Sequence, residues 1–426
     1  MRTEFRDLLR TVYWVIIVVT VILTGGLNAQ VSQAATYYVA TTGSDSSSCS
    51  QAQNVATPKR TIASGLTCLS AGSTLYIRSG TYSEAITNSV PIPSGTSWTS
   101  PVTIAAYPGE SVTLRPTSGQ QVISIEAYSV SQYVIFDGLI LDGINLQTIY
   151  SDGVKIRGGS HHIRFQNGEI KNTWRNGVLI VADASGSSGF NEFINSKVHD
   201  GSLGCASIGG CYGFYIQSNN NLVDGVEIYN FDSYGIHIYN ANTPYPSNNI
   251  VRNSVVRNNG SLIAWSSGIL IAKGNGNMAY NNIVRNGNHG IAVGFGASNS
   301  YVYNNTVFRN LYNGVDIGDS GASNAIVRNN ISFQNGSSNI YVRSTASGTI
   351  QSNNLTTDPK FVNAAANDFR LQSASPAINT GISLAEVPTD FIGTVRPQGV
   401  GYDVGAYEYN TGGATLSAPS QLVVSP

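Results

Sequence analysis

A glycine, an apolar residue, a variable residue and a second apolar residue recur in that order seven times through the middle of the chain. The copies are Gly153-Val154-Lys155-Ile156, Gly177-Val178-Leu179-Ile180, Gly213-Phe214-Tyr215-Ile216, Gly235-Ile236-His237-Ile238, Gly268-Ile269-Leu270-Ile271, Gly290-Ile291-Ala292-Val293 and Gly314-Val315-Asp316-Ile317, spaced by 22 to 36 residues. Apolar residues at alternate positions predict a short strand with one buried face. Recurrence at this spacing predicts a solenoid, whose units bury their apolar faces only by stacking on one another. The variable residues must then share one outer column: Lys155, Leu179, Tyr215, His237, Leu270, Ala292, Asp316 and Tyr341. Two positions on, a parallel column reads Arg157, Val181, Gln217, Tyr239, Ala272, Gly294 and Gly318.

Each glycine strand is followed by a loop and a second short strand, such as His162 to Phe165, Asn249 to Val251 or Ser300 to Tyr303. An Asn-led turn and a third strand come next, as at Val255-Val256, Ile283-Val284 and Thr306 to Phe308. Turn residues recur at Asn167, Asn195, Asn253, Asn281, Asn305, Asn330 and Asn354, and five positions on at Asn172, Asp200, Asn258, Asn286, Asn310 and Asn335. Asn tolerates left-handed backbone, and in a stack its amide can also bond the amide of the next coil. The expected fold class is therefore all-β: a right-handed parallel β-helix with three strands per coil, Asn-ladder turns and an N-terminal cap. Insertions at 182–189, 201–211, 241–247 and 260–266 flank the glycine strands and are expected to wall a groove over the outer column.

The ends differ from the repeats. Arg2, Arg6 and Arg10 precede the apolar run Val12 to Leu23, and Ser32-Gln33-Ala34 follows; this is the order of an export signal over residues 1–34. An uncleaved anchor is the alternative, against which the run is shorter than the ~20 residues a bilayer span needs. Residues 35–409 form one expected domain and 410–426 a tail or linker. Thr36 to Val39 reads as a strand, and Lys59 to Leu69 as an amphipathic helix covering one end of the stack. Residues 368–409 are expected to cap the last coil. The protein is expected to be secreted and monomeric, with no membrane association once the signal is removed. A net charge of −1 gives no electrostatic basis for nucleic-acid binding, whereas a neutral, Asn- and Tyr-rich surface suits a polysaccharide. Four cysteines in an exported chain predict disulfides Cys49–Cys68 and Cys205–Cys211. The alternative, a metal site, lacks a His at ligand spacing beside either pair.

Two stretches carry a family resemblance. Tyr37-Tyr38-Val39-Ala40-Thr41-Thr42-Gly43-Ser44-Asp45, with Pro58-Lys59-Arg60-Thr61-Ile62 and Ser79-Gly80-Thr81-Tyr82, resembles the start of secreted bacterial right-handed β-helix proteins of the pectate-lyase-like superfamily. Leu371-Gln372-Ser373-Ala374-Ser375-Pro376-Ala377-Ile378, Arg396-Pro397 and Tyr402-Asp403-Val404-Gly405-Ala406-Tyr407-Glu408 resemble their end. The resemblance covers nearly the whole mature chain. It implies the architecture, and a superfamily of lyases, hydrolases, epimerases and proteins without known chemistry.

A polyuronate lyase of that superfamily needs a cation, often Ca2+, on the sugar carboxylate and a base, often Lys or Arg. On that implication Lys155, Arg157 and Lys273 are basic candidates, and Asp152, Asp200 and Asp232 are candidate calcium ligands. The Asp-rich calcium pattern of the pectate lyases is absent. His237, mid-column and expected to project outward, is a further candidate for a base or sugar-binding role. Tyr212, Tyr215 and Tyr239 offer flat faces for sugar rings, with Gln217 and Asp316 as polar contacts in the same columns. A hydrolase would need paired carboxylates, and Asp152 and His289, in motifs faintly like those of polygalacturonases, stand five repeat strands apart. Two readings stay open: a lyase cleaving an acidic glycan by β-elimination, and a non-catalytic carbohydrate-binding or cell-surface protein.

Overall fold

The repeat glycines are fixed by lack of space. In the computed structural model, a Cβ on Gly177 would stand 2.3 Å from Val198 Cγ1 and 2.7 Å from the Gly213 carbonyl oxygen. Gly213, Gly235 and Gly290 meet the same two neighbours: the next repeat glycine's carbonyl and a β-branched side chain. None of the seven has a positive φ, so the constraint is close approach of coils and not left-handed backbone. The structure describes residues 34–410 apart from 88–89, 127–129, 185 and 209. The expected export signal, up to Gln33, and the tail beyond Asn410 lie outside the described residues.

Strands stack into three main parallel sheets of nine, twelve and ten strands, visited in that order by each coil. The nine-stranded sheet holds the glycine strands, among them Val178–Ile180, Phe214–Ile216 and Ile236–Ile238. The twelve-stranded sheet holds strands such as His161–Gln166 and Ile250–Arg252, and the ten-stranded sheet strands such as Lys197–His199 and Val255–Arg257. Inward residues from all three, including Phe165, Phe193, Val198, Phe214 and Ile236, form one continuous core along the axis. This is the right-handed three-sheet β-helix expected.

Register follows the repeat residue for residue. Leu179 pairs with Lys155 on one side and Tyr215 on the other, and the column continues through His237, Leu270, Ala292, Asp316 and Tyr341. The second column departs once: a bulge between Val293 and Gly294 sets Gly294 opposite Asp319 instead of Gly318.

The turn amides form two kinds of column where the sequence suggested one. Asn167, Asn195, Asn253 and Asn281 hold left-handed backbone, and that position continues as Asn304, Asn329 and Asn353. Asn305, Asn330 and Asn354 instead belong one residue inward, to a buried ladder that starts at Asn282. The neighbouring turn shifts in the same way: Arg309 and Gln334 take the left-handed place, while Asn310 and Asn335 bond each other inside. A further buried ladder, Asn191–Asn221–Asn249–Asn277, precedes the twelve-stranded sheet.

The ends also differ in part from expectation. The helix expected over Lys59 to Leu69 is a single turn, Ile62–Leu66, whose first amides donate to the Glu84 carboxylate. Residues 368–409 run back along the outside of the last coils rather than over the end. Phe361, Phe369, Val404 and Ala406 cover Val255, Ile283, Phe308 and Ile331 of the ten-stranded sheet. Asn304 donates to the carbonyls of Asp403 and Gly405, and Asn329 to that of Ile382. Outward-facing apolar residues on that sheet give the segment its seat. No helix among the described residues is long and apolar enough to cross a membrane.

Candidate functional site

The outer column of the nine-stranded sheet is an aromatic patch between two ion pairs. His237 sits with its ring centroid 4.7 Å from Tyr234, 5.0 Å from Tyr212, and 5.2 Å from both Tyr215 and Tyr239. Leu270, Ala272, Ala292 and Phe295 extend the patch along the axis. His237 is therefore buried, not projecting into solvent as expected, and its Nδ1 has no hydrogen-bond partner. Burial pushes its pKa down to about 3, so the imidazole is neutral at ordinary pH and poorly matched to a base role. Tyr212, Tyr215 and Tyr239 are half-buried, and Gln217 bonds the Tyr215 hydroxyl.

Both basic candidates on these columns have carboxylate neighbours. Lys155 Nζ lies 3.1 Å from Glu126, which also accepts a hydrogen bond from Ser124. Arg157 Nε lies 2.5 Å from Asp183. Lys273 rests over the Tyr245 ring, 4.4 Å from its centroid. At the far end Asp316 is buried and bonded by Arg343 through both carboxylate oxygens and by Asn313. It braces the column from beneath the surface.

The three candidate metal ligands do not meet. Asp152 is buried, accepts two hydrogen bonds from Asn176, and is raised to about pH 6 by burial against the opposing charge of Arg175. Asp200 follows a strand of a different sheet and bonds His199 and Asn230. Asp232 accepts from Ser261 in the turn before Ile236–Ile238. No group of three or more His, Cys, Asp or Glu residues able to hold a metal occurs among the described residues. Asp152, Asp200 and Asp232 therefore do not form one calcium centre.

Cys49 and Cys68 form the expected disulfide. Cys205 and Cys211 do not: both are buried free thiols, hydrogen-bonded to each other beside Ser233.

A second surface is more concave, and the repeat did not announce it. A cavity of about 1100 Å³ runs over the ten-stranded sheet from Gly109 and Ile140 to Ile283 and Arg285, with Phe369, Phe391 and Tyr407 of the C-terminal segment as its far wall. Its floor is another register column, Ile140, Glu169, Lys197, Glu227, Val255 and Ile283. Beside it lie Lys171, His199, Tyr229, Arg257 and Arg285. His199 stacks on Tyr229 at 4.5 Å, and Arg257 lies 3.8 Å over the same ring's centroid. The His199 hydrogen bond, helped by Lys171, brings the Glu169 pKa down to about 2. The alternation Glu169, Lys171, Lys197, His199 in the third strands was the available signal.

The sequence profile of the family described as "right handed beta helix region" matches residues 125–307 and 265–372. Among solved structures, the crystal structure of pectate lyase Pel9A superposes with a TM-score of 0.61 at 18% identity, covering 88% of this chain and 96% of that one. XylC in complex with xylose gives 0.52 at 10% identity, covering 88% and 99%. An alginate lyase from Paenibacillus sp. str. FPU-7 gives 0.48 at 19% identity, covering 70% and 95%. At these identities the likeness is one of fold. No curated protein sequence gives a significant match.

Proposed function

From the premise that this chain belongs to the right-handed β-helix family, we propose that it is an extracellular protein that engages an acidic polysaccharide along its nine-stranded sheet. The observation that carries this reading is the in-register patch of Tyr212, Tyr215 and Tyr239 around His237, with Lys155 and Arg157 two coils before Tyr215. Aromatic edges and faces suit the apolar sides of sugar rings, and the two cations suit uronate carboxylates. The preference for carbohydrate also agrees with relatives in fold whose names include pectate lyase and a xylose complex.

Binding is the reading the geometry supports best. A base for β-elimination must be unprotonated and free to reach the sugar, yet His237 is walled in by tyrosines and Lys155 is held by Glu126. The lyase reading keeps one specific observation in its favour. Lys155 and Arg157 lie two residues apart at the end of one strand, so a uronate displacing Glu126 and Asp183 would meet both. Incubation with pectate, alginate or chondroitin, with and without calcium, separates the two. We expect retention on the polymer and no rise in absorbance near 235 nm. A rise would establish unsaturated products and the lyase.

A further inference from the structure

The groove over the ten-stranded sheet holds a charge that the fold leaves unanswered. Arg285 is 93% buried, its exposure being 7%, and its Nε has no hydrogen-bond partner. It follows the inward-facing Val284, so it points outward into the cavity it lines. Its strand neighbour Arg257 is paired with Glu227 at 2.9 Å and offers repulsion instead of a bond. Burial, together with the Arg257 charge, brings the Arg285 pKa down to about 10. A buried guanidinium nitrogen without a hydrogen-bond partner is rare in folded proteins, and here only the more distant Glu227 charge offsets the burial.

The other charges of the groove sort themselves clearly. Glu110 pairs with Arg78, Asp224 with Arg252, and Glu169 with Lys171 and His199. Lys197, which stands between Glu169 and Glu227 in the register column, forms no ion pair among the described residues, so the two groove charges without an ion-pair partner, Lys197 and Arg285, are both positive. Their strands lie three coils apart, about 14 Å along the axis. Between and around them stand Ile140, Val255 and Ile283 on the floor, turn amides on one rim, and the aromatic wall of Phe369, Phe391 and Tyr407.

We infer that this groove is a second binding site, separate from the nine-stranded face, for a short uronate-bearing oligosaccharide. One carboxylate pairs with Arg285 against the aromatic wall, and a carboxylate nearer the open end meets Lys197. The guanidinium fork takes a carboxylate through two hydrogen bonds, and the half-apolar floor takes the ring faces. Because the C-terminal segment closes the far end, the site receives a chain end and not the middle of a polymer.

Titration calorimetry with trigalacturonate, trimannuronate, the methyl ester of trigalacturonate and inorganic phosphate tests this. The full-length protein is expected to bind at least one acidic trisaccharide, with the ester and phosphate at least tenfold weaker. Arg285→Gln is expected to weaken that binding at least tenfold without lowering the thermal midpoint, since it removes an unpaired buried charge. In the Tyr215→Ala background, which removes the nine-stranded face's contribution, the Arg285-dependent part of the binding is expected to persist. Three results would overturn the inference: no acidic trisaccharide binding, unchanged binding in Arg285→Gln, or loss of the Arg285-dependent part in Tyr215→Ala alone. Phosphate binding as tight as the trisaccharide would reduce the site to one for bare anions and overturn it as well. Failure here leaves the reading of the nine-stranded face standing, because that reading concerns other residues.

Discussion

Asp152 shows how a single side chain reports its surroundings. It sits beneath the start of the nine-stranded sheet with its carboxylate stripped of water, and its pKa rises from 3.8 to about 6. A carboxyl group held above its unfolded value stabilises the fold in its protonated form. That contribution is complete below about pH 4 and is lost as pH rises through 6. Asp152→Asn, neutral at all pH values, keeps the hydrogen bonds from Asn176 and is expected to add about 2 kcal/mol of stability at pH 7 and almost none at pH 4. Urea denaturation at the two pH values measures the difference; equal effects at both would show that the carboxyl is not buried as described. The sequence placed this residue correctly before its glycine. It could not show that the position is closed to solvent, because that depends on the neighbouring coil, which brings Asn176.

Elements in this fold are defined by their columns, and the columns are where reading the chain succeeds and fails. Strand register was legible because alternation and the repeat glycine both point to one alignment, and a slip by one residue would turn every side chain over. The amide columns were harder. A left-handed Asn and a ladder Asn differ by one position, and in the later coils both are Asn, as at Asn304-Asn305 and Asn329-Asn330. Only pairing tells them apart. Asn305 accepts from the Asn282 backbone and side chain and donates to Ala279 and Asn330. Asn305→Ala would leave buried donors and acceptors in two coils without partners and is expected to cost about 3 kcal/mol. Asn253→Gly, at a left-handed position, is expected to cost less than about 1 kcal/mol. Comparable losses in the two variants, measured by chemical denaturation, would mean that the two columns are not distinct.

At the scale of the whole molecule, the C-terminal segment decides which surfaces stay open. It is held by a buried cluster: Arg396 bonds Glu408 at 2.6 Å and the carbonyls of Asp403 and Gly405, while Asp390 and Asp403 accept backbone hydrogen bonds beside it. Removing the one cation would strand these carboxylates. Arg396→Met is expected to destabilise by about 3–5 kcal/mol and to make residues 368–409 sensitive to limited proteolysis while the coils resist. Uniform digestion of the whole chain would contradict that division. This segment was recognisable in the sequence from its resemblance to its family, but its path was not, since nothing local says that Phe369 and Val404 lie against Val255 and Ile283. For the same reason the groove over the ten-stranded sheet could not be foreseen, whereas the column from Lys155 to Tyr341 could. The central claim concerns that column. Electrophoresis through gels containing pectate measures it directly. The account predicts that the wild-type protein is retarded and that Tyr215→Ala/Tyr239→Ala, folded by circular dichroism, migrates as in a gel without polymer; equal retardation of the two would contradict it.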